Sequence, residues 1–431
     1  MESYWQQSRT LPTFPAAEGE LNTDVLVIGA GFAGLLTAYL LQREGVRVIV
    51  AEKGRIFSGE SGKTTAKITF QHGLIYHRIA KRYTVETARR YLEANHAAFA
   101  AYKNLCAEID CEYETKDNYV YTVDDPAALE KEMTVLQKMG FPARFCPSIP
   151  LPVKTAGAVC FPDQAQFYPV KFIAGIVNGL DIREHTWVHA IEGSTAITDH
   201  GRIHAKKIVI ATHFPFINTH GLYFLKLYQH RSYVLALQNA QDVDGMYVDD
   251  SKTGLSFRNT GDLLLLGGGD HRTGKPGGNW KELEEFQRTH YPTAREVGRW
   301  AAQDCMSLDE MPYIGQYGKS SPNLYAATGF NKWGVTGSMT AAMLLRDLIL
   351  GRENEYSALF SPARSILHPQ LFLNGLESAV SLLTPTLKRC PHLGCALHWN
   401  KVEHSWDCPC HGSRFSEEGK LLENPANGDI Q

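Results

Sequence analysis

Two hydrophobic rhythms alternate along the chain. Asp24-Val25-Leu26-Val27-Ile28 is an unbroken apolar run, as in a strand buried on both faces, and residues 35–43 continue at helical spacing. A second apolar run, residues 46–51, ends at Glu52, so the chain opens as strand, helix, strand. Further on, residues 85–105 carry apolar positions at helical spacing, residues 111–123 alternate like a half-buried strand, and residues 126–140 read as a helix stopped at glycine. Residues 203–211 form another buried strand, and residues 228–269 supply several more, the last running into Gly267-Gly268-Gly269. Residues 323–328 read as a strand that breaks at glycine before a long helix over residues 338–350. The pattern predicts an α/β protein: a doubly wound, Rossmann-like nucleotide-binding domain (residues 22–100, 151–213 and 306–360) interleaved with an α+β domain (101–150 and 214–305). A linker (361–389) and a small C-terminal lobe (390–431) complete it.

The turn after the first strand reads Gly29-Ala30-Gly31-Phe32-Ala33-Gly34. In this pattern the first glycine allows the tight turn, the second lets a pyrophosphate approach the backbone and the third lets helix pack on strand. Glu52 arrives about twenty residues downstream, placed to accept hydrogen bonds from a ribose, with Lys53 beside it. The segment from Ser58 to Lys67, with Thr64 and Thr65, is rich in small and hydroxyl residues and suits a ribityl-diphosphate chain. Gly329 and Gly334 lie where a helix N-terminus would face the pyrimidine edge of a flavin and stabilise the charge that builds there on reduction.

Near the C-terminus stand two Cys/His loops, Cys390-Pro391-His392-Leu393-Gly394-Cys395 and Cys408-Pro409-Cys410-His411-Gly412-Ser413. Cys390 with His392, and Cys408 with His411, are the ligand pairs of a Rieske [2Fe-2S] centre, two thiolates on one iron and two imidazoles on the other. The same residues could instead close a tetrahedral zinc site. His398 and His404, between the loops, match no ligand position and read as surface histidines.

On these motifs the chain resembles the D-amino acid oxidase-like family of FAD-dependent oxidoreductases, in the subgroup with a C-terminal Rieske module. The segments from Thr64 to Gly73, Asp309 to Gly315 and Gly329 to Gly337 carry the likeness with the glycine turn and the cluster loops. The resemblance implies FAD, a two-domain oxidoreductase body with a substrate domain, and a disulfide between Cys395 and Cys410. In one respect the chain departs from the pattern: the strands that precede the first ligand loop of a full Rieske module are missing. The FAD body or a partner chain must replace them, and a more exposed cluster is expected.

Forty-three basic residues balance 46 acidic ones, which leaves no electrostatic footprint for nucleic acid and no polybasic membrane signal. No apolar run is long enough to span a bilayer, and the N-terminus lacks the pattern of a signal peptide. With the scattered Cys106, Cys111, Cys146, Cys160 and Cys305 read as reduced thiols, a cytoplasmic location is expected.

The expected activity is dehydrogenation of a small amine or amino acid-like substrate at a CH-NH bond, with electrons leaving FAD through the [2Fe-2S] cluster to a one-electron acceptor protein or small carrier. Two rivals stand beside it: a redox-sensing or partner-docking flavo-iron-sulfur protein, and an oxidase with a vestigial cluster. Candidate catalytic residues are His72 as proton acceptor over the flavin ring, Lys332 beside the reduced ring, and Arg258 as a carboxylate clamp. Arg231 is a second candidate for the clamp, and His271 a further active-site candidate.

Overall fold

A computed structural model describes residues 2–217, 221–251 and 254–430. The apolar strand Gly19–Ile28 is central to an eight-stranded sheet, flanked in parallel by Val48–Ala51 and Gly201–Ile210. Asp181–Arg183 extends one side; Leu324–Thr328 and then the antiparallel Tyr313–Gln316 extend the other. Helices Phe32–Arg43 and Gly334–Ile349 pack on each other over this sheet. The second of them begins at Gly334, a turn before the expected Ser338, because the glycine-bearing loop is itself its first turn.

A nine-stranded sheet stands beside the first, ordered Arg295–Ser307, Leu227–Gln238, Leu263–Arg272, Ser256–Thr260, Met246–Asp249, Glu114–Thr122, Gly157–Gln166 and Lys67–Ile68, with Arg144–Cys146 on the side. Two of these strands fall in residue ranges expected to belong to the nucleotide-binding domain. Gly157–Gln166 pairs antiparallel with Glu114–Thr122, and Lys67 pairs with Gln166, so the division by sheet does not follow those ranges. The apolar run of residues 157–161 fits either sheet; pairing decides it.

The linker contains a helix, Pro369–Leu383, that leads into the cluster loops. The lobe beyond is a four-stranded antiparallel sheet of His398–Asn400, Ser405–Asp407, Arg414–Ser416 and Leu421–Glu423. Its own core is small, centred on Phe415, Leu397 and the cysteines. Among the described residues no helix is long and apolar enough to cross a membrane.

Candidate active site and metal centre

A cavity of about 860 Å³ opens at the C-terminal ends of strands Gly19–Ile28 and Val48–Ala51, and runs between the two sheets. Gly29, Gly31, Glu52, Lys53, Thr64, Thr65 and Gly334 all line it. The glycines are required by close approach. A Cβ on Gly29, whose φ is +106°, would stand 2.6 Å from the Ala211 carbonyl oxygen, and one on Gly34 would stand 1.8 Å from that of Gly29. Gly34 therefore acts by packing helix on strand. Both oxygens of Glu52 accept backbone amides, from Ala30 at 2.8 Å and Gly54 at 2.9 Å; burial pushes its pKa up and these donors oppose the rise. Lys53 lies 3.8 Å from the centre of the Trp187 ring. Helix Gly334–Ile349 has no side-chain cap, and its first residues line the cavity, so its positive end faces the bound group.

Part of this wall is held from behind by a segment the sequence had not marked. The short helix Tyr4–Ser8 grips the loop of residues 57–64: Trp5 Nε1 donates to Thr64 O at 2.6 Å and Gln6 Nε2 to Ser58 O at 2.9 Å. Gly329 does not line the cavity; at φ +69° it lets the chain turn against Leu227 and Ser307. Its role is packing, in place of the expected cofactor contact.

Of the catalytic candidates, His72 and Lys332 line the cavity and Arg258 does not. His72 is stacked on Trp333 at 5.1 Å, and its nitrogens are engaged by the Tyr91 hydroxyl at 2.8 Å and the Thr69 carbonyl at 2.9 Å. The carbonyl requires Nε2–H, which leaves Nδ1 to accept from Tyr91. Burial lowers its pKa to about 3, so its ring is a weak base, and with both nitrogens engaged His72 fits a structural role better than that of the proton acceptor expected of it. Arg258 is buried, donating to the carbonyls of Thr65 at 3.0 Å and Ala66 at 2.7 Å; it fixes the cofactor loop from behind, where no substrate carboxylate can reach it. Arg231 is likewise withdrawn, into the lobe interface, and His271 stacks on Tyr233 outside the cavity.

Lys332 forms an ion pair with Asp270 at 2.8 Å, and Asp270 also accepts from His230 at 3.0 Å. Burial raises the Asp270 pKa, but Lys332 and His230 outweigh it and hold the carboxyl well below its usual range. Asp304 also faces the cavity, and burial pushes it up to about 7. Neither Asp270 nor Asp304 stood out in the sequence. Each sits inside an ordinary strand, with no motif to announce it.

The two cluster loops fold against each other. Cys390 N donates to Cys395 O and Gly394 N to Cys390 O; Cys408 N donates to Ser413 O and Gly412 N to Cys408 O. Cys390, Cys408 and His411 are buried, and the His392 and His411 rings lie 4.9 Å apart. His411 donates its Nε2–H to Phe224 O at 2.9 Å, which leaves a buried Nδ1 without a hydrogen-bond partner among the described residues. Burial lowers His392 to about 3 and His411 to about 4, so both are the neutral imidazoles that a metal requires. Buried thiols, an orphaned ring nitrogen and an outer hydrogen bond that orients it fit the iron-sulfur centre. Cys395 and Cys410 are free thiols here, with their sulfurs and that of Cys408 within 4.8 Å of one another.

The missing strands are replaced by the body, and the ligands are not exposed as expected. Arg272 donates to the carbonyls of Pro409 at 2.9 Å and Cys410 at 3.0 Å. Gln229 Nε2 donates to His411 O at 2.8 Å and Gln303 Nε2 to Gly412 O at 2.8 Å, and the two glutamines bond to each other. The fit is close in both directions. A Cβ on Gly412 of the lobe would lie 2.6 Å from Gln229, and one on Gly274 of the body 2.6 Å from Pro409 N. Beside these contacts a buried ion-pair network crosses the boundary: Arg231 binds Glu403 and Glu423, Arg414 binds Glu403 and Asp407, and Lys63 reaches Glu423 at 2.8 Å. His398 is exposed, as expected, and is tied to Gly274 O at 2.8 Å.

Fold and site together define a flavin-dependent oxidoreductase body with a docked iron-sulfur lobe. The family model described as FAD dependent oxidoreductase matches residues 24–348, and that of the Rieske [2Fe-2S] domain matches residues 383–431. The chain belongs to the DAO family of FAD-dependent oxidoreductases and carries a C-terminal Rieske domain, with FAD and a [2Fe-2S] cluster as the cofactors these domains hold. It is 32% identical over 501 residues to the putative Rieske 2Fe-2S iron-sulfur protein YhfW of Bacillus subtilis (strain 168), spanning 99% of this chain and 96% of that protein. In fold it is similar to glycine oxidase from Geobacillus kaustophilus (TM-score 0.68, 19% identity, 80% of this chain and 99% of the other). It is also similar to L-proline dehydrogenase from P. horikoshii (TM-score 0.67, 18% identity, 80% and 98%).

Proposed function

We propose that this protein is a cytoplasmic dehydrogenase that oxidises a CH-NH bond of a small amine or amino acid-like substrate and passes the electrons outward through its cluster lobe to a one-electron acceptor. FAD, when bound, supplies the two-electron acceptor, and the [2Fe-2S] cluster the one-electron exit. One observation carries the reading. Gln303 lines the flavin cavity and also bonds directly to the cluster loop at Gly412, so a single side chain separates the two sites. The lobe itself closes the cavity, since Leu421, Glu423 and Asn427 line it too.

Within the cavity Asp304 is the group suited to take a proton from a substrate ammonium, because its pKa of about 7 lets both forms exist near neutrality. Lys332, held protonated by Asp270, offers a fixed positive charge. The names of the structural neighbours, glycine oxidase and L-proline dehydrogenase, support a substrate of the amine class.

The test is Cys408→Ser in a folded, FAD-loaded protein. Anaerobic bleaching of the flavin across a panel of amines, amino acids and hydroxy acids identifies the substrate. The variant should retain that reduction and lose turnover with a one-electron acceptor. Unchanged acceptor turnover without the cluster would favour an oxidase or a sensor instead.

A further inference from the structure

Helix Pro369–Leu383 is inside out. Its inward face is polar: Asn374 and Ser381 are buried, Asn374 Oδ1 accepting from Arg272 at 2.9 Å and Ser381 bonding to the Ala396 carbonyl, while Glu377 turns in to pair with Lys275 at 2.7 Å. Its outward face is hydrocarbon. Phe372 is 72% exposed, Leu376 64% and Leu383 82%, with Leu373 and Val380 between them, and Leu367 and Leu387 extend the ridge at either end. A helix in water does the reverse, since each exposed leucine forgoes the gain of burial. Such a ridge, with most of the exposed large apolar residues of the described chain gathered on it, marks an interaction surface.

Charge identifies what covers it. Across residues 365–389 the one acidic side chain is Glu377, which faces the protein. Lys388 and Arg389 stand at one end of the ridge. Arg82, which donates to Leu367 O at 3.2 Å, and the exposed Lys81 stand at the other. Both ends being basic, pairing with a second copy in either direction would set cation against cation. A protein partner would also find no donor or acceptor on the outward side chains, where specific interfaces carry about one hydrogen bond per 100–200 Å². Hydrocarbon in the middle and cations at the margin complement an anionic bilayer surface.

We propose that helix Pro369–Leu383 seats this protein on the surface of an anionic membrane, without crossing it, and that the cluster loop beginning at Cys390 is held against the lipid. The ridge leads straight into that loop, and Leu393, next to ligand His392, is itself exposed. The experiment is sedimentation of the holoprotein with phosphatidylcholine vesicles, with and without phosphatidylglycerol. Wild-type protein should sediment with the phosphatidylglycerol vesicles. The double variant Leu376→Glu, Leu383→Glu should bind roughly tenfold or more weakly, since it places two carboxylates where methyl groups would enter lipid. Both positions are exposed, so flavin absorbance and cluster spectrum should be unchanged, which separates lost binding from lost fold. The proposal fails if wild type ignores both vesicles or if the double variant binds as wild type does. It fails too if the wild type is a dimer in solution that the double variant splits while neither binds lipid.

Discussion

The two cofactor sites are built on opposite plans. The flavin turn is mostly local: Gly34 packs its helix on its strand, Gly31 faces Ser61, Glu52 binds the amides of Ala30 and Gly54, and Gly29 alone answers to a distant strand, at Ala211. The cluster site has its ligands in two short loops but little frame of its own. Gln229, Gln303, Arg272 and Arg231 of the body hold it, each from a strand far away in sequence. A site specified by backbone conformation is carried within one stretch of chain. A site specified by borrowed side chains exists only once the sheets have assembled.

The largest effect expected from breaking this contrast is at the local site. Gly31→Val puts a Cβ 2.7 Å from Ser61 Oγ and branches it toward the pyrophosphate position, so FAD binding should be abolished, read as the absence of flavin released on denaturation. Cluster iron should survive in that variant. Wild-type FAD occupancy would remove the basis for the assignment.

At the borrowed site, Arg231→Leu leaves Glu403 and Glu423 short of a buried cation. The cost should be about 3–5 kcal/mol, felt as loss of lobe docking and iron while FAD stays bound. Equal loss of both cofactors in thermal melts would deny that the sites are separable in this way.

Asp304→Asn sharpens the comparison inside the flavin cavity. In the wild type the carboxyl is protonated below about 7, so anaerobic flavin reduction should decline as pH falls through that value. The variant should lack that limb and be slower by about 10²-fold above it. A wild-type pH profile in the variant would return the search for a proton acceptor to its start.

The smallest effect concerns acid. Burial raises the Glu403 pKa, but Arg231 and Arg414 outweigh it and take it to about 2. A depressed carboxylate contributes its stability above the unfolded pKa and loses it as pH falls through the folded one. Lobe docking, followed by iron retention, should therefore hold from pH 7 to about pH 5 and weaken progressively as pH falls from the unfolded value of 4.5 toward 2. Release near pH 5 would mean that the network is not what holds the lobe.

Much of this was legible in the chain itself. The glycines of the first turn, Glu52 and the Cys/His loops follow rules of short range, in which the same few residues set backbone shape and chemistry together, whereas Gly329, read by the same rule, packs against Leu227 and Ser307. The side chains that carry roles across the fold were not legible. Arg258 and Arg231 had the right type for a carboxylate clamp, and His72 for a base, but burial and partners decided otherwise: two carbonyls, two glutamates and a tyrosine with a carbonyl. Asp304 had no motif and acquires its pKa of about 7 only from desolvation between the sheets. The apolar residues of helix Pro369–Leu383 show helical spacing in sequence, yet only the packed structure reveals that they face outward. Local sequence determined conformation and ligand type. Dielectric environment, pairing across strands and the facing of each surface depend on residues distant along the chain, and those the tertiary structure alone decided.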